Sequence, residues 1–178
     1  MTSTFARGLA ELMAEASHLT RDHFHAFGHI VSTYAKVEQG FKFIIAKIIG
    51  VPRHVAVILC EPYTSHDLRN VVRSIQAAHD LPCGMAERIT GLAKQFENFG
   101  PLRNAISHNL WREGVRSNSI KPMGLSIRSG KPKYKGVDDA ERDWTLPELE
   151  GEALGLNALH ATQLKVLDDL GAEHPFDT

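Results

Sequence analysis

Residues 99–111 read FGPLRNAISHNLW. They close a run in which Met85, Ile89, Leu92, Phe96, Phe99, Ile106 and Leu110 recur at alternating spacings of three and four, which predicts one apolar stripe along a helix starting near Gly84. Position 103 is the gap in that rhythm, and Arg103 fills it. A charge on an apolar stripe has to be paired, or the stripe must open onto something polar there. Asn104 and His108 stand beside it. Pro101 removes one backbone donor and clashes with the preceding turn, so a kink or short break is expected there. The apolar rhythm survives the proline, which argues against a separate element.

Upstream, residues 3–17 pattern as a short amphipathic helix. A long helix follows over about 20–49, with Tyr34, Val37, Phe41, Ile44, Ile45 and Ile48 on one stripe and Lys36, Gln39 and Lys47 off it. Gly50 and Pro52 end it. RHVAVILCEP is ambiguous by pattern, and its helical surroundings favour a short helix. SHDLRNVVRSIQAAH predicts a helix capped by Ser65 and ending before Pro82. Downstream, IKPMGLSIRSGKPKYKGV alternates Leu125 and Ile127 among glycines and prolines, which predicts a short hairpin. Thr145 to Glu148 in TLPE forms a capping-box pattern that opens the last helix, with Leu149, Leu156, Leu159, Leu167 and Leu170 inward. The expected fold is all-α: an up-and-down bundle of four to five helices with a small β-hairpin insertion before the last helix. A single domain over 1–178 is expected, with a basic hairpin or loop at about 112–140 that lies outside the core.

Composition sets further bounds. With 43% hydrophobic and 23% charged residues, the chain resembles an ordinary globular protein. The N-terminal stretch lacks the apolar core of a secretion signal, and FKFIIAKIIGV is too short and too charged to cross a membrane. Cys60 and Cys83 form no paired motif, so a reducing, cytoplasmic setting is the expectation. The net charge of −1 hides an asymmetry. Arg112, Arg116, Lys121, Arg128, Lys131, Lys133 and Lys135 stand against Glu113 alone, giving that stretch +6 and the rest of the chain −7. Such a stretch is either a solvated loop or a footprint for an anionic polymer such as RNA.

His18, His23, His25 and His29 invite a zinc reading, since His25 and His29 are one helical turn apart. No further Cys or His follows at a finger-like spacing, and structural or surface roles account for them better. Neither a metal nor a cofactor is expected. His160, on an apolar face, reads as a core histidine.

The loose pattern of Arg, four to six residues, then His occurs twice, at Arg73 to His79 and at Arg103 to His108. Requiring Arg-Asn-x-x-x-His leaves the second match alone, against a chance expectation of roughly 0.02 per chain. LRNAISHNLW at the end of a long amphipathic helix resembles the signature of the HEPN superfamily, small helical-bundle proteins many of which are RNases. YAKVEQGFKFIIAKIIG likewise resembles an earlier helix of such proteins, with Glu38 on an otherwise apolar face. The resemblance covers residues 20–170, and its specific element is RNxxxH. The hairpin has no counterpart in it.

The resemblance implies metal-independent RNA cleavage by a homodimer whose motif helices meet at the interface, with Arg103, Asn104 and His108 in the active positions. It further implies a toxin or defence role, sometimes with a neutralising antitoxin partner. The chemistry of the trio is compatible on its own terms. RNA supplies its own nucleophile, the 2′-OH, so the protein need only move protons and stabilise charge. Histidine serves as acid or base near neutrality, and arginine holds phosphate oxygens at two points. Residues five apart on a helix are about 140° apart, so Arg103 and His108 of one copy diverge unless the helix ends between them, whereas two antiparallel copies could converge. Glu38 is a possible support for Arg103, with Glu97 as another acid within the pattern, and Arg112, Arg116, Lys131, Lys133 and Lys135 are possible RNA contacts. The competing readings are a non-catalytic HEPN-like module that binds nucleotides or a protein, and a scaffold in which the trio only packs.

Overall fold

A computed structural model of the chain describes residues 19–128, 131–135 and 143–173. The proposed 3–17 helix and His18 lie outside them. Helices α1 (Arg21–Ile49), α2 (Arg53–Leu59), α3 (Ser65–Ala78) and α4 (Met85–His108) precede four short strands, β1 (Leu110–Glu113), β2 (Ser119–Arg128), β3 (Lys131–Lys135) and β4 (Trp144–Thr145). Helix α5 (Leu146–Glu173) closes the order. The architecture is the all-α bundle with a small antiparallel sheet before the last helix. Among the described residues the chain divides after Val31, Gly100 and Ala153 into two compact units.

In the unit holding residues 32–100 and 154–173 the regular elements are all helices. Its core takes the whole predicted α1 stripe, from Tyr34 to Ile48, together with Met85, Ile89, Leu92 and Phe96 of α4 and Leu156, Leu159 and Leu170 of α5. Phe96 is the hinge of this packing, with ring centroids 4.3 Å from Tyr34 and 5.4 Å from Phe41. Gln163 of α5 is fully buried and donates through Nε2 to the Val37 carbonyl at 2.9 Å. Gly40 makes room for it, since a Cβ at that position would overlap the Gln163 amide. Lys47, expected off the stripe, is buried. The end of its side chain, Nζ and Cε, lies beside Gly171, close to the C-terminal turn of α5, where a cation is favoured by the helix dipole.

Helix boundaries follow local chemistry. Gly50 adopts φ +68°, and the Val51 N–H reaches back to the Ala46 carbonyl at 3.0 Å, a left-handed glycine cap. RHVAVIL is helical as expected, starting directly after Pro52. The cap of α3 is Thr64, one residue ahead of the expected Ser65. Its hydroxyl accepts from the Asp67 N–H, and the Asp67 carboxylate accepts from the Thr64 N–H. Ser65 lacks the reciprocal acid three residues on, which is what fixes the choice.

The other unit holds residues 19–31, 101–128, 131–135 and 143–153. Its core is built from Ala26, Phe27, Ile30, Leu102, Trp111, Ile120, Met123, Leu149 and Ala153. The rings of Phe27 and Trp111 lie 4.7 Å apart. β2 is the central strand, pairing antiparallel with β1, β3 and β4. The predicted hairpin is therefore present as β2–β3, and β1 adds a strand that the sequence pattern did not reveal. The expectation that residues 112–140 lie outside the core is corrected at Ile120, Pro122 and Met123, all buried. The alternation of β2 is masked in sequence by proline and lysine, so its apolar positions do not stand out.

The coupling between Gln163 and Gly40 gives the first prediction. Gly40→Ala should lose about 1–3 kcal/mol of stability, because the displaced amide leaves a buried polar group unsatisfied. In a Gln163→Ala background the same change should be neutral, or stabilising by about 1 kcal/mol through helix propensity. Denaturant unfolding of the four proteins measures this, and equal cost in both backgrounds would refute the coupling.

Candidate functional site

The last two turns of α4 carry the trio. Pro101 sits inside a helix that runs unbroken from Met85 to His108, without the short break that the sequence left open. Its missing N–H leaves the Glu97 carbonyl without its usual intrahelical donor. The gap in the stripe also resolves differently from expectation. Leu102 is buried at 5% exposure, while Arg103 is half-buried, Ile106 is half-buried and Leu110 is 45% exposed at the start of β1. Neighbouring helical residues point about 100° apart, so Leu102 and not Arg103 is the buried position of residues 101–108. Arg103 thus borders the apolar face and does not interrupt it.

The Arg103 guanidinium donates through Nη1 to Asn104 Oδ1 at 3.1 Å. Asn104 and His108 are both exposed, and four residues separate them, which puts them on one helix face. Because α4 continues through His108, Arg103 and His108 stand about 140° apart on one copy. Glu38 is half-buried on α1 in the helical unit, whereas the trio belongs to the sheet-containing unit. Glu97 is engaged elsewhere: it accepts from Arg69 at 3.2 Å, and Arg69 is itself a buried residue that the sequence pattern did not single out.

The chain after His108 is held in place from several sides. Trp111 anchors β1 by its ring contact with Phe27. Arg112 is half-buried and directly opposite Lys121 in the ladder. The turn between β1 and β2 is organised by Asp143, whose Oδ2 accepts from the N–H groups of Val115 and Arg116 (2.9 Å for the latter) and from the Ser119 hydroxyl at 3.1 Å. Gly114 is required beside them, because a Cβ there would overlap Ser119 Oγ and lie 2.8 Å from Asp143 Oδ2. Arg116 is tied to the same turn. It pairs with Glu148 through two parallel bonds of 3.0 and 2.6 Å and also donates to the Asp143 carbonyl. Glu148 in turn accepts from the Thr145 N–H at 2.8 Å, the carboxylate half of the predicted capping box.

These contacts show in the acidities. Burial works against the charged form of Asp143, but the Arg116 and Val115 N–H groups, the Ser119 hydroxyl and the charge of Lys121 outweigh it, leaving its carboxyl below the ordinary range. The Arg116 hydrogen bonds, with those from Thr145, pull Glu148 down to about 2.

Among the histidines, His23 is buried at the start of α1. Its Nδ1 accepts from the Thr20 N–H at 3.2 Å, and the Thr20 hydroxyl, 2.8 Å from that nitrogen, lies 3.4 Å from the His23 N–H, so Thr20 caps the helix and His23 is its reciprocal partner. Burial pushes its pKa down, against the opposing charge of Asp22. His25 and His29 are exposed, with ring centroids 6.4 Å apart. Among the described residues no three His, Cys, Asp or Glu side chains are grouped to hold a metal ion. His160 is half-buried, 3.5 Å from Gln163 Oε1. Lys131, Lys133 and Lys135 occupy alternate positions of β3, paired with Arg128, Ser126 and Gly124.

Sequence reasoning did not find Asp143, Ser119 or Gly114. The available signal was weak: a glycine and an arginine two residues apart, and an aspartate just ahead of WTLPE. Among the described residues, no helix is long and apolar enough to cross a membrane. Comparison with protein-family models, with curated proteins and with solved structures gave no match.

The second prediction concerns acid stability. Glu148 lies well below its ordinary 4.5 in the folded chain, so its contribution is present above pH 4.5 and is lost as the pH falls toward about 2. Arg116→Ala should flatten that acid limb in thermal unfolding followed from neutral pH downward. An unchanged limb would mean that the pair does not couple to folding.

Proposed function

We propose that this chain is a metal-independent endoribonuclease of the HEPN type, acting as a homodimer in the cytoplasm with Arg103, Asn104 and His108 as its active residues. The observation that carries the reading is local. Arg103 is oriented by Asn104 Oδ1 at 3.1 Å, and His108 is exposed one turn further along the same helix. The RNxxxH spacing and its place at the end of a long amphipathic helix support it. The unbroken helix supports the dimer, because one copy turns Arg103 and His108 in different directions and two copies of α4 side by side supply both groups to one phosphate.

The reaction that follows is transesterification. The 2′-oxygen attacks the adjacent phosphorus as its proton passes to one His108, the bond to the 5′-oxygen breaks, and the second His108 donates a proton to that leaving oxygen. The products are a 2′,3′-cyclic phosphate and a 5′-hydroxyl. Arg103 holds the phosphoryl oxygens on which charge builds, and Asn104 keeps the guanidinium in position. A toxin or defence effector, neutralised by an antitoxin partner, is the biological role in keeping with this chemistry.

The third prediction tests it on a mixed RNA pool in the presence of chelator. His108→Ala should lower cleavage by about 10²–10⁴ and leave RNA binding near the wild-type level. Arg103→Ala should lower both, since the guanidinium meets ground-state phosphate as well as transition-state charge. RNA with a 2′-deoxy sugar at the cleaved position should resist, and the wild-type product should carry a cyclic phosphate. Both variants should fold, because neither side chain is in the core. Equal cleavage by wild type and His108→Ala would refute the reading and leave a non-catalytic module that binds nucleotides or a protein.

A further inference from the structure

The middle of α5 is apolar on its outer side as well as its inner one. From Ala153 to Leu164 the chain reads ALGLNALHATQL, without an acid, a lysine or an arginine. Ala153, Leu156, Leu159 and Gln163 are buried. On the other side Leu154 is 67% exposed and Leu164 47% exposed, and Ala158 and Ala161 are exposed as well. An ordinary surface helix carries charged and polar residues there, and an apolar outer side marks a surface that another molecule covers. Charge returns to this side at its two ends, with Glu150 and Lys165, both exposed. α5 is one unbroken helix, so Glu150, Leu154, Ala158, Ala161 and Lys165 fall within about 80° of arc and form a single face.

The order of residues along this face says what fits it. The midpoint between Glu150 and Lys165 falls between Asn157 and Ala158, and the midpoint between Leu154 and Ala161 falls at the same place. A two-fold axis through that point sets Glu150 of one copy against Lys165 of the other, and Leu154 of one against Ala161 of the other. Symmetry makes each pairing twice. Opposite charges then meet at both ends, and a large side chain meets a small one on both sides of the centre. Ala158, beside the axis, lets the two helices approach closely. A parallel pair would instead set Lys165 against Lys165, Glu150 against Glu150 and Leu154 against Leu154. A lipid surface is a poor match, because helices that lie on membranes border their apolar face with lysine and arginine. Here the border holds Glu150 and Asp168 beside the single Lys165.

We propose that this face of α5 is a self-association surface on which a second copy of the chain docks antiparallel, with its two-fold axis between Asn157 and Ala158. The contact uses none of residues 101–108, so it is separate from the pairing of α4 and does not rest on the nuclease reading.

The test follows the full chain by sedimentation over a range of concentrations. Leu154→Lys should halve the mass of the wild-type assembly, because it places a charge against Ala161 at two symmetric points. Glu150→Lys should raise the dissociation constant about 10-fold by setting like charges together at both ends. Adding Lys165→Glu to Glu150→Lys exchanges the two charges and should restore the wild-type constant. Orientation is read by cross-linking with a short bis-maleimide in a Cys83→Ser background, which removes the exposed native thiol and leaves the buried Cys60. Ala158→Cys should be joined across the axis. Asp168→Cys should not, because antiparallel pairing holds its two copies about 30 Å apart along the helix axis. Thermal unfolding checks that each variant is folded, which exposed positions should allow.

A monomeric wild type overturns the proposal and gives the face to a different protein. A mass unchanged by Leu154→Lys overturns it too, leaving any self-association to α4. So does a charge exchange that fails to restore the constant, or cross-linking of Asp168→Cys, which is the mark of parallel pairing. The nuclease reading stands or falls elsewhere, since RNA cleavage is not measured in any of these steps.

Discussion

The packing of the helical unit depends on one buried amide. Gln163 has no access to water, so its N–H must find a protein acceptor or cost about 1–3 kcal/mol. It finds the Val37 carbonyl, and it can do so only because Gly40, one turn on, has no side chain in the way. A glycine inside a helix is itself unfavourable by about 1 kcal/mol, and the hydrogen bond with the close helix approach offsets it. Elsewhere on α5, Gly155 fits against the Phe99 ring and Gly171 against the charged end of Lys47. Two glycines of α5 therefore face bulky or polar partners at different heights of the helix. The Phe96 ring, between Tyr34 and Phe41, then closes the remaining volume.

The sheet-containing unit is organised by charge where the helical unit is organised by shape. Asp143 gathers two backbone N–H groups and a hydroxyl, and Arg116 joins the same turn to Glu148. These bonds form between residues about 30 positions apart, so they close a loop that would otherwise be costly to order. Their consequence for the candidate site is positional. With Trp111 buried and the β1–β2 turn fixed, the chain leaving His108 has a defined path, and the helix end that carries the trio is held from the strand side.

Charge also sorts by role in this unit. Arg116 is tied to Glu148 and the Asp143 carbonyl, and Arg103 is oriented by its neighbour at the rim of the apolar face. A count of net charge cannot separate these, because it weighs every guanidinium equally. Their partners separate them at once.

Local sequence determined a large part of this protein. The α1 stripe, the Gly50 stop, the short helix after Pro52, the hairpin and the start of α5 at TLPE follow from periodicity and capping, which act over a few residues. The trio itself was legible because its spacing is a fixed property of the chain. Tertiary structure decided the rest. It chose Leu102 over the expected seam position at Arg103, because which helix face is buried depends on the neighbours, and those of residues 101–108 are not those of Met85–Phe96. It buried Ile120 and Met123 by pairing β1 with β2, and it gave Gln163, Arg69 and Asp143 their partners across separations of 126, 28 and 27 residues. A hydrogen bond at such range leaves no periodicity behind, so no reading of neighbouring residues can find it.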